Sequence, residues 1–399
     1  MKILFINGLY ENGSTGFLLK TLSDYNELKG GNSASIYGFL KKRSGNFFKT
    51  IKGQSKISLY FEFLRSRITG YNGFFCRKGE TKKAIEFIKK FSPDLINIHN
   101  LHGNYIDAFL LLDFIKKEKI KTVVTMHDCW DFTGLCPHFQ NFQCEKWKTK
   151  CSKCKFYKKI KYPRSWFFDR SKKQFELKQE LFNNPNITFV APCEWISSFA
   201  KQAPITRNNN IRVIYNGIDF YKIKSINFSE KSGKKILLGV SGSWGLTKGI
   251  YEFGKLSESI SPEYKIILIG KYKTEFKRKF PKIEFLGPIS DKRILKGIYE
   301  KSFAFINPTF ADTFPTTNLE ALQSGTPIIL YDTGGNKELI NKNAVFHCVS
   351  KNVSEIIEKI NIINMIKPVK SDIVKYGMTF TSNNMCSEYY SLFKKILRM

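Results

Sequence analysis

Short, uninterrupted apolar runs alternate with helix-length amphipathic segments from end to end, and this alternation constrains the fold more than any other feature. Strand candidates are Lys2–Ile6, Leu95–His99, Thr122–Met126 and Thr188–Ala191, then Lys235–Val240, Lys265–Ile269, Ala304–Asn307 and Pro327–Tyr331. Most are rich in β-branched or aromatic residues and end close to Gly, Asn, Asp or Pro. Strands without polar alternation must be covered on both faces, which is the condition of a parallel sheet flanked by helices. The longer segments Lys82–Phe91 and Asp107–Lys117 carry Lys and Glu on one helical face and apolar residues on the other. The fold class expected is α/β.

The alternation breaks twice. Residues Cys129–Lys173 form an aromatic, Cys- and Lys-rich insertion between two strand candidates. Later, Asn216-Gly217-Ile218-Asp219 closes one strand, and the polar stretch Phe220–Lys234 precedes the next. That stretch reads as a linker between two similarly built α/β domains, 1–219 and 220–380. A chain of 399 residues accommodates both.

Composition narrows the class. Hydrophobic residues make up 42% and charged residues 25%, enough apolar material for sizeable cores, which excludes a disordered or disulfide-stapled chain. No apolar run approaches the ~18 residues of a membrane span. The opening Lys2-Ile3-Leu4-Phe5-Ile6-Asn7 turns polar too early for a signal-peptide core, so a cytoplasmic protein is expected. The nine cysteines then read as thiols or metal ligands. The net charge of +31 favours polyanionic partners: nucleic acid, anionic lipid or phosphorylated substrates.

The most informative stretch is Phe303–Glu338. A strand runs into Pro308-Thr309-Phe310-Ala311-Asp312-Thr313-Phe314-Pro315; a helix starts near Thr316 or Thr317 and ends at Gly325. This order puts Asp312 and the first helical turn at the carboxyl end of a parallel strand, where open α/β sheets bind ligands. Free N–H groups in that turn suit a phosphate, and carboxylates beside it suit sugar hydroxyls. The competing structural role is a capping box, Thr317-x-x-Glu320, in which Glu320 serves only its own helix.

The stretch Asp312-Thr-Phe-Pro-Thr-Thr-Asn-Leu-Glu320 resembles the E-x7-E signature of family-4 retaining glycosyltransferases, with Asp in the first acidic position. Four further segments match the family in order: Asn12-Gly-Ser-Thr-Gly16, Thr125-Met-His127-Asp128-Cys-Trp130, Gly239-Val-Ser-Gly-Ser243-Trp-Gly-Leu-Thr-Lys248-Gly249 and Thr333-Gly334-Gly335-Asn336-Lys337-Glu338. The His-Asp-x-Trp element is similar to that of capsule and exopolysaccharide members of the colanic-acid type.

The resemblance implies the GT-B architecture, two Rossmann-like domains across a cleft, with a last helix at 381–399 returning to the N-terminal domain. It implies transfer of a sugar, with retention and without a catalytic metal, from a UDP- or GDP-sugar to a saccharide or lipid-linked acceptor. Glu320 would meet the ribose hydroxyls and Asp312 the transferred sugar. Lys248 would neutralise the departing diphosphate, and Thr316, Thr317 and Asn318 would offer backbone N–H groups. Gly16 belongs to the glycine-rich loop after the first strand. His127, with Asp128 and Trp130, would sit on the acceptor side near the donor sugar. Many relatives carry an arginine where this chain has Ser243, so another basic residue is expected to assist Lys248.

Within the insertion, Cys151-x-x-Cys154 has zinc-knuckle spacing, and Cys136 and Cys144 could complete a four-thiolate structural zinc site, with His138 an alternative ligand. The competing expectation is reduced thiols packed among Trp147, Phe156 and Tyr157. His99 and His102 fall near a strand end, where structural hydrogen bonding is at least as good an account as function. Basic and aromatic residues interleave in Lys41–Arg67 and Lys146–Lys173. With ~1 kcal/mol per Lys or Arg near an anionic surface, these stretches point to peripheral contact with the inner face of the cell membrane. A nucleic-acid-binding protein is the rival class, but it leaves Asp312, Glu320 and Lys248 unexplained and no nucleic-acid module is present. A non-catalytic sugar-nucleotide-binding module is the third reading.

Overall fold

The computed structural model describes residues 1–10, 13–40, 50–51, 56–160, 164–228 and 232–399. They divide into two compact units, Met1–Tyr215 with Cys386–Met399, and Asn216–Met385.

In the first unit, β1 (Lys2–Tyr10), α1 (Gly13–Leu28), β2 (Asn32–Leu40) and β3 (Thr50–Ile51) come first. Then follow α2 (Lys56–Thr69), α3 (Lys78–Phe91), β4 (Leu95–Ile98), α4 (Ala108–Lys117) and β5 (Thr122–Thr125). After the insertion come α5 (Ser171–Phe182), β6 (Ile187–Ala191), α6 (Glu194–Ala200) and β7 (Asn210–Val213). The seven strands form one sheet in the order β3-β2-β1-β4-β5-β6-β7, all parallel. Ile3, Leu4, Phe5 and Ile6 are wholly buried, as strands covered on both faces require.

The second unit contains β8 (Lys235–Ser243), α7 (Ile250–Ser259), β9 (Tyr264–Lys271), α8 (Thr274–Lys279), β10 (Ile283–Gly287) and α9 (Lys292–Lys301). It continues through β11 (Ala304–Asn307), α10 (Thr316–Gln323), β12 (Ile328–Tyr331), β13 (Val345–Cys348), α11 (Val353–Ile366) and α12 (Lys370–Gly377). Its six strands run parallel in the order β10-β9-β8-β11-β12-β13. Leu237, Leu268, Ile306 and Ile329 fill its core with Phe253 and Tyr331. These are two doubly wound, Rossmann-like sheets, the fold class expected.

The expected domain boundaries at 219/220 and 380/381 lie a few residues from the observed ones. Asn216–Asp219 is bound into the second unit: the Asn216 side chain donates to the Phe314 carbonyl at 3.1 Å, and the Ile218 N–H to the Phe380 carbonyl at 3.0 Å. The chain ends on α13 (Ser382–Leu397), which belongs to the first unit from Cys386 onward. There Tyr389 hydrogen-bonds Thr125 at 3.0 Å, and the Cys386 thiol reaches the Thr21 carbonyl at 3.7 Å.

Candidate active site

Two loops at the carboxyl ends of β8 and β11 build the site in the second unit. After β8 the chain turns through Leu246–Lys248 into Gly249, whose φ of 73° and approach to the Pro308 carbonyl exclude a side chain. The Phe310 N–H and the Thr309 hydroxyl both donate to the Thr247 carbonyl, at 2.9 and 3.0 Å. This stitching brings Lys248 Nζ to 2.5 Å from Asp312 Oδ2. Asp312 Oδ1 accepts the Thr313 N–H at 3.0 Å. The turn Gly334–Glu338 closes over the same loop: the Gly335 N–H meets the Thr313 carbonyl at 2.7 Å, and a Cβ at Gly334 would strike the Asp312 carbonyl.

The capping box does not form. α10 begins at Thr316 behind Pro315 without a side-chain cap, and Glu320 turns to other elements. Its carboxylate accepts from Lys292 Nζ at 2.6 Å and from the Tyr299 hydroxyl at 3.3 Å, both on α9. Glu320 itself is buried. Thr316 and Thr317 hold first-turn positions, whose N–H groups have no intrahelical acceptor. Asn318 corrects the sequence expectation: its N–H already bonds the Pro315 carbonyl at 3.2 Å. Its buried side chain instead links Asn307 and Asn336, at 2.8 and 2.9 Å. Ser243 is exposed and pairs in register with Lys271 at the end of β9, so a lysine stands beside the position where relatives carry arginine.

In the first unit, Gly16 lies in the first turn of α1, buried, rather than in a loop; Asn12 falls outside the described residues. Just beyond β5, Asp128 accepts the Trp130 N–H at 2.8 Å and pairs with His102 Nε2 at 3.0 Å. Burial opposes both charges. The pairing wins: it raises the His102 pKa and holds Asp128 down at about 2. His127 Nε2 meets His99 Nδ1 at 2.8 Å, and burial lowers its pKa to about 4, with Asp128 opposing that shift and His102 adding to it. Beneath Trp130, buried Lys178 donates to the Trp130 and Thr133 carbonyls at 2.6 and 2.9 Å, and lies 3.5 Å from the indole centroid.

Sequence reasoning missed Lys292, Tyr299, Lys271, Asn97 and Lys178. None carries a local motif: Lys292, Tyr299 and Lys178 meet their partners across separate elements, and Lys271 is placed by its strand register with Ser243.

Cys136, Cys144, Cys151 and Cys154 are free thiols in the loop-rich insertion. Burial and the neighbouring thiols raise the pKa of Cys136 and take Cys151 to about 11, while the Gly134 N–H bonds the Cys151 sulfur at 3.2 Å. Among the described residues, no group of three or more His, Cys, Asp or Glu side chains is placed to hold a metal ion.

The two basic-aromatic stretches meet. The Trp166 N–H donates to the Arg67 carbonyl at 2.7 Å; Ile57, Tyr60, Phe61 and Phe63 on α2 and Phe167 and Phe168 are exposed. Residues 41–49, 52–55 and 161–163 of these stretches lie outside the described residues. No described helix is long and apolar enough to cross a membrane.

Two family models match consecutively: Glycosyltransferase Family 4 over residues 59–221 and Glycosyl transferases group 1 over 222–378. The chain is 24% identical over 336 residues to WcaC of Escherichia coli K12, by name a colanic acid biosynthesis glycosyl transferase, covering 76% of this chain and 77% of WcaC. It is 27% identical over 149 residues to the O-antigen chain mannosyltransferase RfbU of Salmonella typhimurium, spanning 35% of this chain and 40% of RfbU. In fold it is similar to sucrose-phosphate synthase of Thermosynechococcus elongatus, with a TM-score of 0.69, 12% identity and coverage of 100% and 99% of the two chains. HepE of Anabaena, solved with UDP, gives 0.65 at 14% identity over 99% and 100%. With both halves matched in order and both sheets of the expected kind, the chain belongs to the family-4 glycosyltransferases of GT-B fold.

Proposed function

We propose that the protein moves a sugar, with retention and without a catalytic metal, from a UDP- or GDP-sugar to a saccharide or lipid-linked acceptor in cell-surface polysaccharide synthesis. The observation that carries this is the Lys248–Asp312 pair with Glu320 nearby in sequence and Thr316 and Thr317 in the intervening helical turn, all at the carboxyl edge of one parallel sheet. The names of WcaC and RfbU support the pathway class, and the solved HepE complexes with UDP and UDP-glucose support the donor class.

In this reading the acceptor oxygen bonds to the anomeric carbon on the face from which the diphosphate leaves. The acceptor proton passes to a donor phosphate oxygen, and a nucleoside diphosphate is released. Lys248 and the first-turn N–H groups stabilise the growing negative charge. Asp312 and Glu320 accept hydrogen bonds from sugar and ribose hydroxyls. Lys271 is proposed as the second diphosphate cation. Proton NMR of the product anomeric centre, from UDP- and GDP-sugars offered in parallel, tests the reading: an inverted centre, or no transfer from any nucleotide sugar, defeats it.

Peripheral membrane attachment at the cytoplasmic face belongs to the same proposal. It is supported by the exposed aromatic residues of α2 and of 166–168, with Lys155, Lys158, Lys159 and Arg164 exposed nearby in sequence. Vesicle co-sedimentation tests it: binding should need anionic lipid and fade as salt shortens the Debye length from about 10 Å at 0.1 M towards 3 Å at 1 M. A structural zinc on the four cysteines also stays a proposal, supported by their shared electrostatic neighbourhood. Metal analysis of the purified chain decides it, about one zinc per chain against none.

A further inference from the structure

Behind His127 runs a buried polar chain that no step above uses. Asn97, on β4, donates its amide N–H to the Val123 carbonyl at 3.2 Å and to the Thr125 hydroxyl oxygen at 3.3 Å. With both donations accounted for, its Oδ1 must be the atom 2.9 Å from His99 Nε2. An amide oxygen only accepts, so His99 carries its proton on Nε2. His99 is buried, and burial together with the neighbouring His127 drives its pKa well down, so the ring is neutral and Nδ1 holds a lone pair. That lone pair faces His127 Nε2 at 2.8 Å, which must then be the donor. His127 is itself neutral near pH 7, so its Nδ1 carries the lone pair of the ring.

We propose that Asn97 and His99 are positioning residues that lock His127 in its Nε2–H tautomer, so that any substrate hydroxyl approaching the ring nitrogen at Nδ1 is met by an acceptor. The inference rests on the proposed glycosyl transfer and on the acceptor-side place that the family resemblance implies for His127. It follows from three hydrogen-bond directions, each dictated by the one before. The backbone holds the relay in place: the His99 N–H bonds the Ile6 carbonyl at 2.8 Å, and Thr125 is tied to Tyr389 of α13. Among the described residues, Asp128 and His102 act on the charge of His127, and they pair with each other.

The test is a long-range proton–nitrogen correlation spectrum of the full chain labelled with nitrogen-15 histidine, which reads tautomers directly among five histidines. At pH 7 His127 should show a protonated Nε2 and an unprotonated Nδ1. His99→Leu should mix the tautomers and lower kcat at least about tenfold with donor KM unchanged. His99→Gln, whose side-chain oxygen can accept the Nε2–H, should restore most of both. A His127 protonated on Nδ1, or an imidazolium at pH 7, overturns the proposal, as does an unchanged tautomer in His99→Leu. If that variant does not fold, the wild-type and His99→Gln spectra still decide. Failure of the glycosyl-transfer reading would show separately, as absent turnover with the tautomer intact.

Discussion

Lys248 and Asp312 stand 64 residues apart in sequence and 2.5 Å apart in space, one ion pair joining the two loops at the sheet edge. Both side chains are partly open to solvent, so the pair itself adds little stability, about 0–1 kcal/mol. Its consequence is chemical. In the proposed reading, a donor entering this site finds a cation and a carboxylate already adjacent, one suited to its diphosphate and the other to its sugar hydroxyls.

Asp312→Asn and Glu320→Gln should each cut donor-dependent transfer by about 10²-fold or more, since each removes a charged acceptor, while melting temperatures hold within a few degrees. Glu320 has a second dependency: Lys292→Met should loosen it and raise the donor KM several-fold with little change in kcat. Steady-state kinetics on the folded variants measures both. Wild-type turnover in the double carboxamide variant would remove these residues from the site.

Lys248→Ala should lose more in kcat than in donor affinity, because diphosphate charge grows towards the transition state. Nucleotide-sugar titration by calorimetry, compared with single-turnover rates, separates the two. A pure affinity loss would confine Lys248 to ground-state binding.

Lys178→Met should destabilise the first unit by about 2–4 kcal/mol, because it removes the Lys178 hydrogen bonds to the Trp130 and Thr133 carbonyls and the buried cation beside Asp131. Burial has already lowered the Lys178 pKa to about 7. Urea unfolding followed by tryptophan fluorescence gives the number; a change below 0.5 kcal/mol would contradict the hydrogen-bond assignment.

The share of stability that depends on His99 and His127 should fall on acidification between pH 6.5 and about 4. His99 and His127 have folded pKa values below 6.5, so in this window the unfolded chain binds more protons and lowering the pH favours it. Buried Asp131, its pKa raised to about 7, opposes that fall because the folded state takes up its proton first, while the facing pair adds little below pH 6. His102, with a raised pKa, is protonated in both states, and Asp128, held at about 2, is ionised in both until near 3.8. His102 acts elsewhere: its stabilisation is lost as pH rises through its folded pKa. Thermal melts of the wild type and His99→Gln at pH 7, 6 and 5 isolate it: on acidification the wild type should lose more, or gain less, than the variant.

All eight strand candidates read from hydrophobic runs are strands, because strands buried on both faces must be continuously apolar. The five unread strands are β2, β3, β7, β10 and β13, and the last four are the sheet edges. An edge is covered less completely, so its pattern is broken; β7 alternates exposed and half-buried. Asp312, Glu320, Lys248 and His127 were legible because the loops after parallel strands carry compact local motifs. What the sequence by itself determined was thus the two-sheet α/β class and the segments that face the sheet edge. Only tertiary structure decided that Glu320 turns to Lys292 instead of capping α10, that Asn318 is a buried link, and that Asn97 and His99 set the proton on His127. Those outcomes depend on hydrogen-bond partners brought together from separate elements, and a partner chosen by packing leaves no periodicity in the chain.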